Sequence, residues 1–349
     1  MLTDSASVVV ITLNRPTYVE KCLRCLGDQS RKPDEVIVVD ASADEVTRQV
    51  VEGFPGVIYI QNKAGAGRMT TSRNIALRVA QGQIIAFVDD DAFAEPNWLS
   101  SLLAAYGGDP DVGAVGGRAR NKCPGEEAFR IADIGRVQRT GEVTGFFAAD
   151  PGCLIDVDHI MGCNMSFRRA VLARLGGFRE DYPGISGVCE DTDMCLRVRT
   201  LGYRILFTPW AVVDHVGAPQ SNGRRFDASY AFFSQRNHVV MLIRNFGPGS
   251  ALLSRYACYT VLRDTRWLLK ALLRRWTRLP HTLTVVTADS LGWISGAIAG
   301  LWCVHRLGRD PERADPDGRS ITRALQLHPL HSRSSSFAKH RDTTVGLSR

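Results

Sequence analysis

Apolar residues at the start of the chain come in short runs, and each run closes on polar or acidic residues. "SVVVITLN" (7–14) is β-branched and ends at Thr12 and Asn14, which predicts a buried strand. In the following "PTYVEKCLRCLGDQ", Val19, Cys22, Leu23 and Leu26 share one helical face, and Pro16 suits the first helical turn. "DEVIVVDAS" (34–42) and "GVIYIQN" (56–62) predict the second and third strands. "TTSRNIALRVAQG" (70–82) predicts a helix closed by Gly82. "QIIAFVDDD" (83–91) predicts a fourth strand that runs straight into three carboxylates.

Alternating strands and helices predict an α/β architecture, a mostly parallel central sheet with helices on both faces. Ligands of such sheets sit beyond the carboxyl ends of the strands. Thr12, Asn14, Asp40, Asn62 and the three acids all fall at those ends. Further along, a helix follows Pro96 and a strand covers 112–118. Residues 120–160 read as loops and irregular strands. A short strand and a helix ended by Gly176 and Gly177 occupy 159–178, and 189–217 reads as a helix, a stop at Gly202 and two short strands.

The pattern changes after this. Residues 251–280 hold seven Arg or Lys and one Asp. On a helical wheel Arg263, Arg266, Lys270 and Arg274 share one face, and Val261, Leu268, Leu269, Leu272 and Trp276 the opposite one. Such a basic amphipathic helix either docks its apolar face on the core or lies on anionic lipid. Residues 282–304 are apolar but carry Asp289 and three glycines, a poor transmembrane span. The tail from 307 predicts disorder. Four regions follow: a ligand-binding half (1–118), a second half of the same domain (119–217), a helical region (218–306) and the tail (307–349).

Composition adds little to the fold but narrows the partners. The chain has 349 residues, 44% hydrophobic and 23% charged, which excludes wholesale disorder. A net charge of +7 and a pI near 9.0 suit an anionic partner. The N-terminus shows no signal-peptide pattern. Nine cysteines, an odd and scattered set, predict reduced thiols and a cytoplasmic setting, with Cys22 and Cys25 on a helix face and not at a redox or zinc site.

Three adjacent carboxylates repel, and a cation is the simplest reason to hold them together. Mg²⁺ and Mn²⁺ take carboxylate and phosphate oxygens. In extended chain Asp89 and Asp91 point the same way and Asp90 faces away. His215, in "VVDHV", could complete a coordination shell. Glu190 and Asp191 open a helix in "CEDTDMCLR", where a carboxylate could act as general base. Arg73 and Asn74 stand near the start of their helix, after the loop "NKAGAGRM", where a pyrophosphate could bind.

These residues, in this order, resemble the family 2 glycosyltransferases of GT-A fold. The resemblance rests on "VVVITLNRPTYVEKCLRCL", "VIVVDASAD", "SRNIAL" with "FVDDD", "MGCNMSFRRAVLARLGGFRED" and "CEDTDMCLRVRTLGYRILFTPWAVVDH", across 8–217. It implies inverting transfer of a sugar from a UDP- or dTDP-sugar, with Mg²⁺ or Mn²⁺, to a saccharide or lipid-linked acceptor. It implies that Thr12, Asn14 and Arg15 line the nucleotide pocket, that Asp40 meets the base and that Arg73 sits near the donor phosphates. Asp89 and Asp90 would meet ribose or sugar, and Asp91 with His215 the metal. Asp191, paired with Glu190, would be the base, and Cys163 and Asn164 would lie on the acceptor side. Cys163 departs from the Ala or Gly usual there. No QxxRW occurs, which implies a non-processive enzyme, and "RNHVVMLIRNF" (236–246) resembles the helix that follows the domain in such members. The reduced cysteines place the protein in the cytoplasm, and the basic helix at 251–280, where it does not dock on the core, would hold it on the inner membrane face against anionic lipid; no nucleic-acid partner is expected. A sugar-phosphate nucleotidyltransferase and an inactive membrane-associated module are the alternatives.

Overall fold

A computed structural model describes residues 4–66, 69–182, 189–217, 227–274, 277 and 279–307. The expected disorder of the tail lies outside these residues, except for the end of the last helix. The N-terminal elements are β1 (Ala6–Thr12), α1 (Pro16–Gly27), β2 (Glu35–Asp40), α2 (Val46–Glu52), β3 (Val57–Gln61), α3 (Met69–Leu77), β4 (Ile84–Asp89), β5 (Ala92–Ala94), α4 (Trp98–Tyr106) and β6 (Val112–Arg120). Then come β7 (Ile155–Asp156), β8 (Asn164–Arg168), α5 (Arg169–Arg174), α6 (Glu190–Thr200) and β9 (Arg204–His215). The C-terminal helices are α7 (Ala228–Phe246), α8 (Ala251–Arg274) and α9 (Leu279–Leu307).

One mixed sheet organises the strands in the order β3-β2-β1-β4-β8-β6-β9-β5, with β7 paired to β9. β1, β2, β3 and β4 are parallel to one another, and β8 runs antiparallel between β4 and β6. The register sets Thr12 beside Asp40 and Ile11 beside Asp89, so the polar strand ends meet along one edge. Alternation gives the sheet two apolar faces. Val8, Val10, Val38 and Val88 pack with Val19, Leu23 and Trp98, while Val9, Ile37, Val39 and Phe87 pack with Ala76, Leu172 and Met194.

Several boundaries differ from the sequence reading. α2 was not anticipated; its two buried residues, Thr47 and Val51, are the whole of its apolar period. α3 stops at Leu77 instead of reaching Gly82. Gly82 serves the sheet: a Cβ there would lie 2.4 Å from the Ser7 nitrogen, and its own N–H donates to Ser7 Oγ. The two short strands expected before residue 217 are one strand, β9. A register shift after Gly117 absorbs the extra residues around Pro209, which has no N–H to give the ladder.

α7 buries Val239, Val240 and Leu242 in a third cluster with Tyr182 and Leu196. α9 lies along α7 through Gly292, Gly296 and Gly300. Added Cβ atoms at the first two would stand 2.4 and 2.5 Å from the carbonyls of Phe232 and Arg236. By length and composition α9 could cross a membrane, although the sequence read as a poor span. α8 inserts Tyr256, Thr260 and Ala271. Its expected faces need correction. Arg263 does not face water with the other bases but pairs with Asp264 and with Asp289 of α9. Val261, Leu269 and Leu272 are exposed, so the apolar face is not docked on the core. Trp276 lies outside the described residues.

Candidate active site

The chain turns at the end of β4, and this turn separates the three acids. Asp89 and Asp91 converge with His215, their ligand atoms all within 4.8 Å of one another. His215 reaches this point because β9 pairs with β5, setting it opposite Ala92, and its Nε2 is 3.3 Å from Asp91 Oδ1. The sequence reading gave the metal to Asp91 and His215 alone; the structure adds Asp89 to the group. Burial, and then the Asp91 charge, push the Asp89 carboxyl above its ordinary range against the pull of Arg73. Two carboxylates and an imidazole, in a place where negative charge is held at a cost, suit a divalent cation of the Mg²⁺ or Mn²⁺ kind.

Asp90 turns away from this group. It accepts from Thr12 Oγ1 at 2.7 Å and pairs with Arg15 Nη1 at 3.0 Å. Burial pushes it up to about 7 despite those partners. Asp90 is enclosed and holds Thr12 and Arg15. Arg15 also reaches Asp91 at 3.5 Å. Asn14 adopts a left-handed φ of 56°, a conformation Asn tolerates, and its N–H donates to Ser42 Oγ.

Asp40 is fully enclosed at the end of β2. One carboxylate oxygen accepts from the N–H and hydroxyl of Ser42, the other from the Tyr59 hydroxyl at 3.0 Å. In this conformation Asp40 is held by Ser42 and Tyr59. Asn164 is likewise enclosed. Its amide nitrogen donates to the carbonyls of Arg118 and Ala211, and its oxygen accepts from Trp98 Nε1 at 2.8 Å. It ties the sheet together. Cys163 is buried between the two acidic groups; burial raises its thiol pKa, and Asp89, Asp91 and Asp191 raise it further.

On the far side of Cys163, α6 begins with Glu190 and Asp191. Asp191 Oδ2 accepts from the Gly162 N–H at 2.9 Å, and Oδ1 from the Thr192 N–H at 2.7 Å. Glu190 is buried, and burial, then Asp191, push it up to about 8. Arg73 joins the two acidic groups. Its Nη1 is 2.7 Å from Glu190 and its Nη2 is 3.9 Å from Asp89. It is a full turn inside α3 and almost wholly buried, deeper than a residue at an open helix start. Burial opposes its charge, but Glu190 and Asp89 hold the guanidinium protonated. Asn74 is spent on Phe178 and Glu180. Gly67 and Arg68 of the preceding loop lie outside the described residues.

Two residues missed from the sequence stand behind Asp191. His159 Nε2 is 2.8 Å from the Thr144 carbonyl, which can only accept, so Nε2 carries the proton. Nδ1 then accepts from the Thr192 hydroxyl at 3.2 Å, and that hydroxyl is also 3.3 Å from Asp191 Oδ1. Burial lowers the His159 pKa, which keeps the ring neutral. The signal for His159 was its place beside "MGCNM".

The sequence profile described as Glycosyl transferase family 2 matches residues 7–176. This match, with the relatives and solved structures below, supports a family 2 glycosyltransferase. It is 28% identical over 223 residues to a validoxylamine A glucosyltransferase of Streptomyces hygroscopicus subsp. limoneus, covering 56% of the chain and 48% of that relative. It is 29% identical over 232 residues to a glucosyl-dolichyl phosphate glucuronosyltransferase of Haloferax volcanii, covering 60% of the chain and 68% of that relative. The chain thus spans about half of the first of these relatives and two thirds of the second. The chain also shares its fold with the mannosyltransferase PcManGT of Pyrobaculum calidifontis, solved with GDP-Man and Mn²⁺. The TM-score is 0.54 at 21% identity, over 86% of the chain and 88% of PcManGT. GalNAc-T7, solved with UDP, GalNAc and Mn²⁺, gives 0.52 at 13% identity over 87% of the chain and 58% of its own. These likenesses establish the GT-A fold. Asp191 and His215 lie beyond the matched stretch.

Proposed function

We propose that this chain is a metal-dependent inverting glycosyltransferase that moves a sugar from a UDP- or dTDP-sugar to an acceptor hydroxyl. The observation that carries this reading is the pairing of two acidic groups across one buried arginine. Asp89, Asp91 and His215 form one group, Glu190 and Asp191 the other, and Arg73 touches both.

In this reading Asp89, Asp91 and His215 hold Mg²⁺ or Mn²⁺. A divalent cation there would offset the charge that grows on the departing nucleoside diphosphate. Thr12, Asn14 and Arg15 line the nucleotide side, with Arg15 fixed by Asp90. Asp191 takes the proton of the acceptor hydroxyl as its oxygen bonds to the anomeric carbon. The bond from that carbon to the diphosphate breaks on the opposite face, and the configuration inverts, as when inverting glycosidases activate a nucleophile on the far face. The Gly162 and Thr192 N–H groups aim the carboxylate. Glu190, held by Arg73 beside Asp191, orients the acceptor. The family match favours this reading over a nucleotidyltransferase, and the intact acids favour it over an inactive module. The acceptor is a saccharide or lipid-linked sugar, handled at the cytoplasmic face of the membrane.

Variants separate the roles. Asp91→Ala is expected to abolish Mn²⁺-dependent binding of the nucleotide sugar, measured by calorimetry. Asp191→Asn is expected to abolish transfer while donor affinity stays the same. Loss of donor binding in Asp191→Asn would remove its assignment as base.

A further inference from the structure

α8 and α9 leave a broad apolar surface uncovered. On α9, Leu283, Leu291, Ile294, Ile298, Leu301 and Trp302 are exposed and recur at helical spacing, opposite the glycines that meet α7. On α8 the same holds for Val261, Leu262, Leu269, Leu272 and Leu273, with Leu273 77% and Val261 64% exposed. Scattered apolar residues are ordinary on a surface, but a continuous patch on adjacent helices marks an interface.

Charge identifies the occupant. Between residues 251 and 305 the sequence holds two acids, Asp264 and Asp289. Both are taken by Arg263. The exposed Arg255, Arg266 and Lys270 are left without an acidic partner among the described residues. Spacings of 7 and 11 put Arg255 and Arg266 on the exposed face that carries Leu262, Leu269 and Leu273, and Lys270 at its flank. An apolar stripe flanked by bases, with no acid facing out, has the make-up of a helix that lies in a bilayer interface.

We propose that the α8–α9 pair is a membrane-docking surface that seats the protein in the plane of an anionic lipid bilayer. The pair lies on the membrane and does not cross it. α8 carries bases along its length. The inner face of α9 is fixed to the backbone of α7, and Asp289 near its middle is held by Arg263. The surface goes beyond the catalytic reading and stands without it, since it does not depend on which sugar is moved.

Flotation of the full chain tests this. Vesicles of phosphatidylcholine alone are compared with vesicles of phosphatidylcholine and phosphatidylglycerol. The wild type is expected to float with the anionic vesicles at least about tenfold more than with the neutral ones, less so as salt rises. Two triple variants, Leu262→Gln/Leu269→Gln/Leu273→Gln and Arg255→Gln/Arg266→Gln/Lys270→Gln, are each expected to lose that flotation. Their circular dichroism and nucleotide release in solution are expected to match the wild type, because all six side chains are exposed. A wild type that floats with neither vesicle, or equally with both, overturns the proposal. So do variants that float like the wild type. An apolar variant that turns a dimer into a monomer without changing flotation would assign the surface to a second copy of the chain. Flotation does not read catalysis, so its failure is distinct from failure of the transferase reading.

Discussion

Gly162 leaves little room for a side chain. A Cβ there would lie 3.0 Å from Arg73 Nη2 and 3.3 Å from Asp191 Oδ2. Gly162→Ala is therefore expected to push Asp191 aside and lower kcat on the order of 10²-fold, with donor affinity retained. Steady-state kinetics beside donor titration checks the split. Glu190 gives a pH signature. Its pKa is raised from 4.5 to about 8. Between those values the folded chain keeps this proton and the unfolded chain has lost it, so the stability tied to Glu190 is present below the ordinary pKa and falls as pH rises toward 8. Glu190→Gln is expected to flatten that part of the profile in denaturation measured across the window. At this scale the sequence was most legible for residues that end strands. Asp89, Asp91, Asp191 and His215 were nameable because they stand in short polar breaks after apolar runs. The enclosed hydrogen bonds of Asp40 and Asn164 were not legible, because nothing local shows that Ser42, Tyr59 and Trp98 lie within reach of them. The same blindness hid the partners of Arg73, which was named for the donor phosphates; they are 16 and 117 residues away.

Elements were legible where a period ran long enough. β1, β2 and β4, each buried on both faces, and α1, with a clean apolar stripe, were found almost to the residue. α2 and β5 were missed because seven and three residues give no readable period. β9 was split because Pro209 looks like a break in sequence, and only its neighbour β6 shows that a bulge absorbs it. The C-terminal helices show the limit most plainly. A wheel finds an apolar face on α8, but which face docks depends on α7 and α9. The packing of α9 yields its own test. Gly296→Val would force a side chain against the Arg236 carbonyl, 2.5 Å from the ideal Cβ. A backbone atom cannot swing away, so the helices must separate. A loss of about 1–3 kcal/mol is expected in chemical denaturation, read as a lower midpoint.

The whole molecule joins a sheet whose carboxyl ends gather acids to a helical appendage that exposes apolar surface. The first part was legible because parallel strands leave a strong sequence trace and because ligand sites of such sheets have a fixed location. The second part was legible only as composition. The central claim concerns chemistry at the strand ends, and the first sugar released tests it most directly. Protein with Mn²⁺ and an α-linked UDP- or dTDP-sugar, with water as acceptor, is followed by proton NMR from the first minutes. The account predicts release of the nucleoside diphosphate with the β-anomer of the sugar appearing first, and neither product with Asp191→Asn. Release of the α-anomer first, or turnover undiminished in Asp191→Asn, would contradict it.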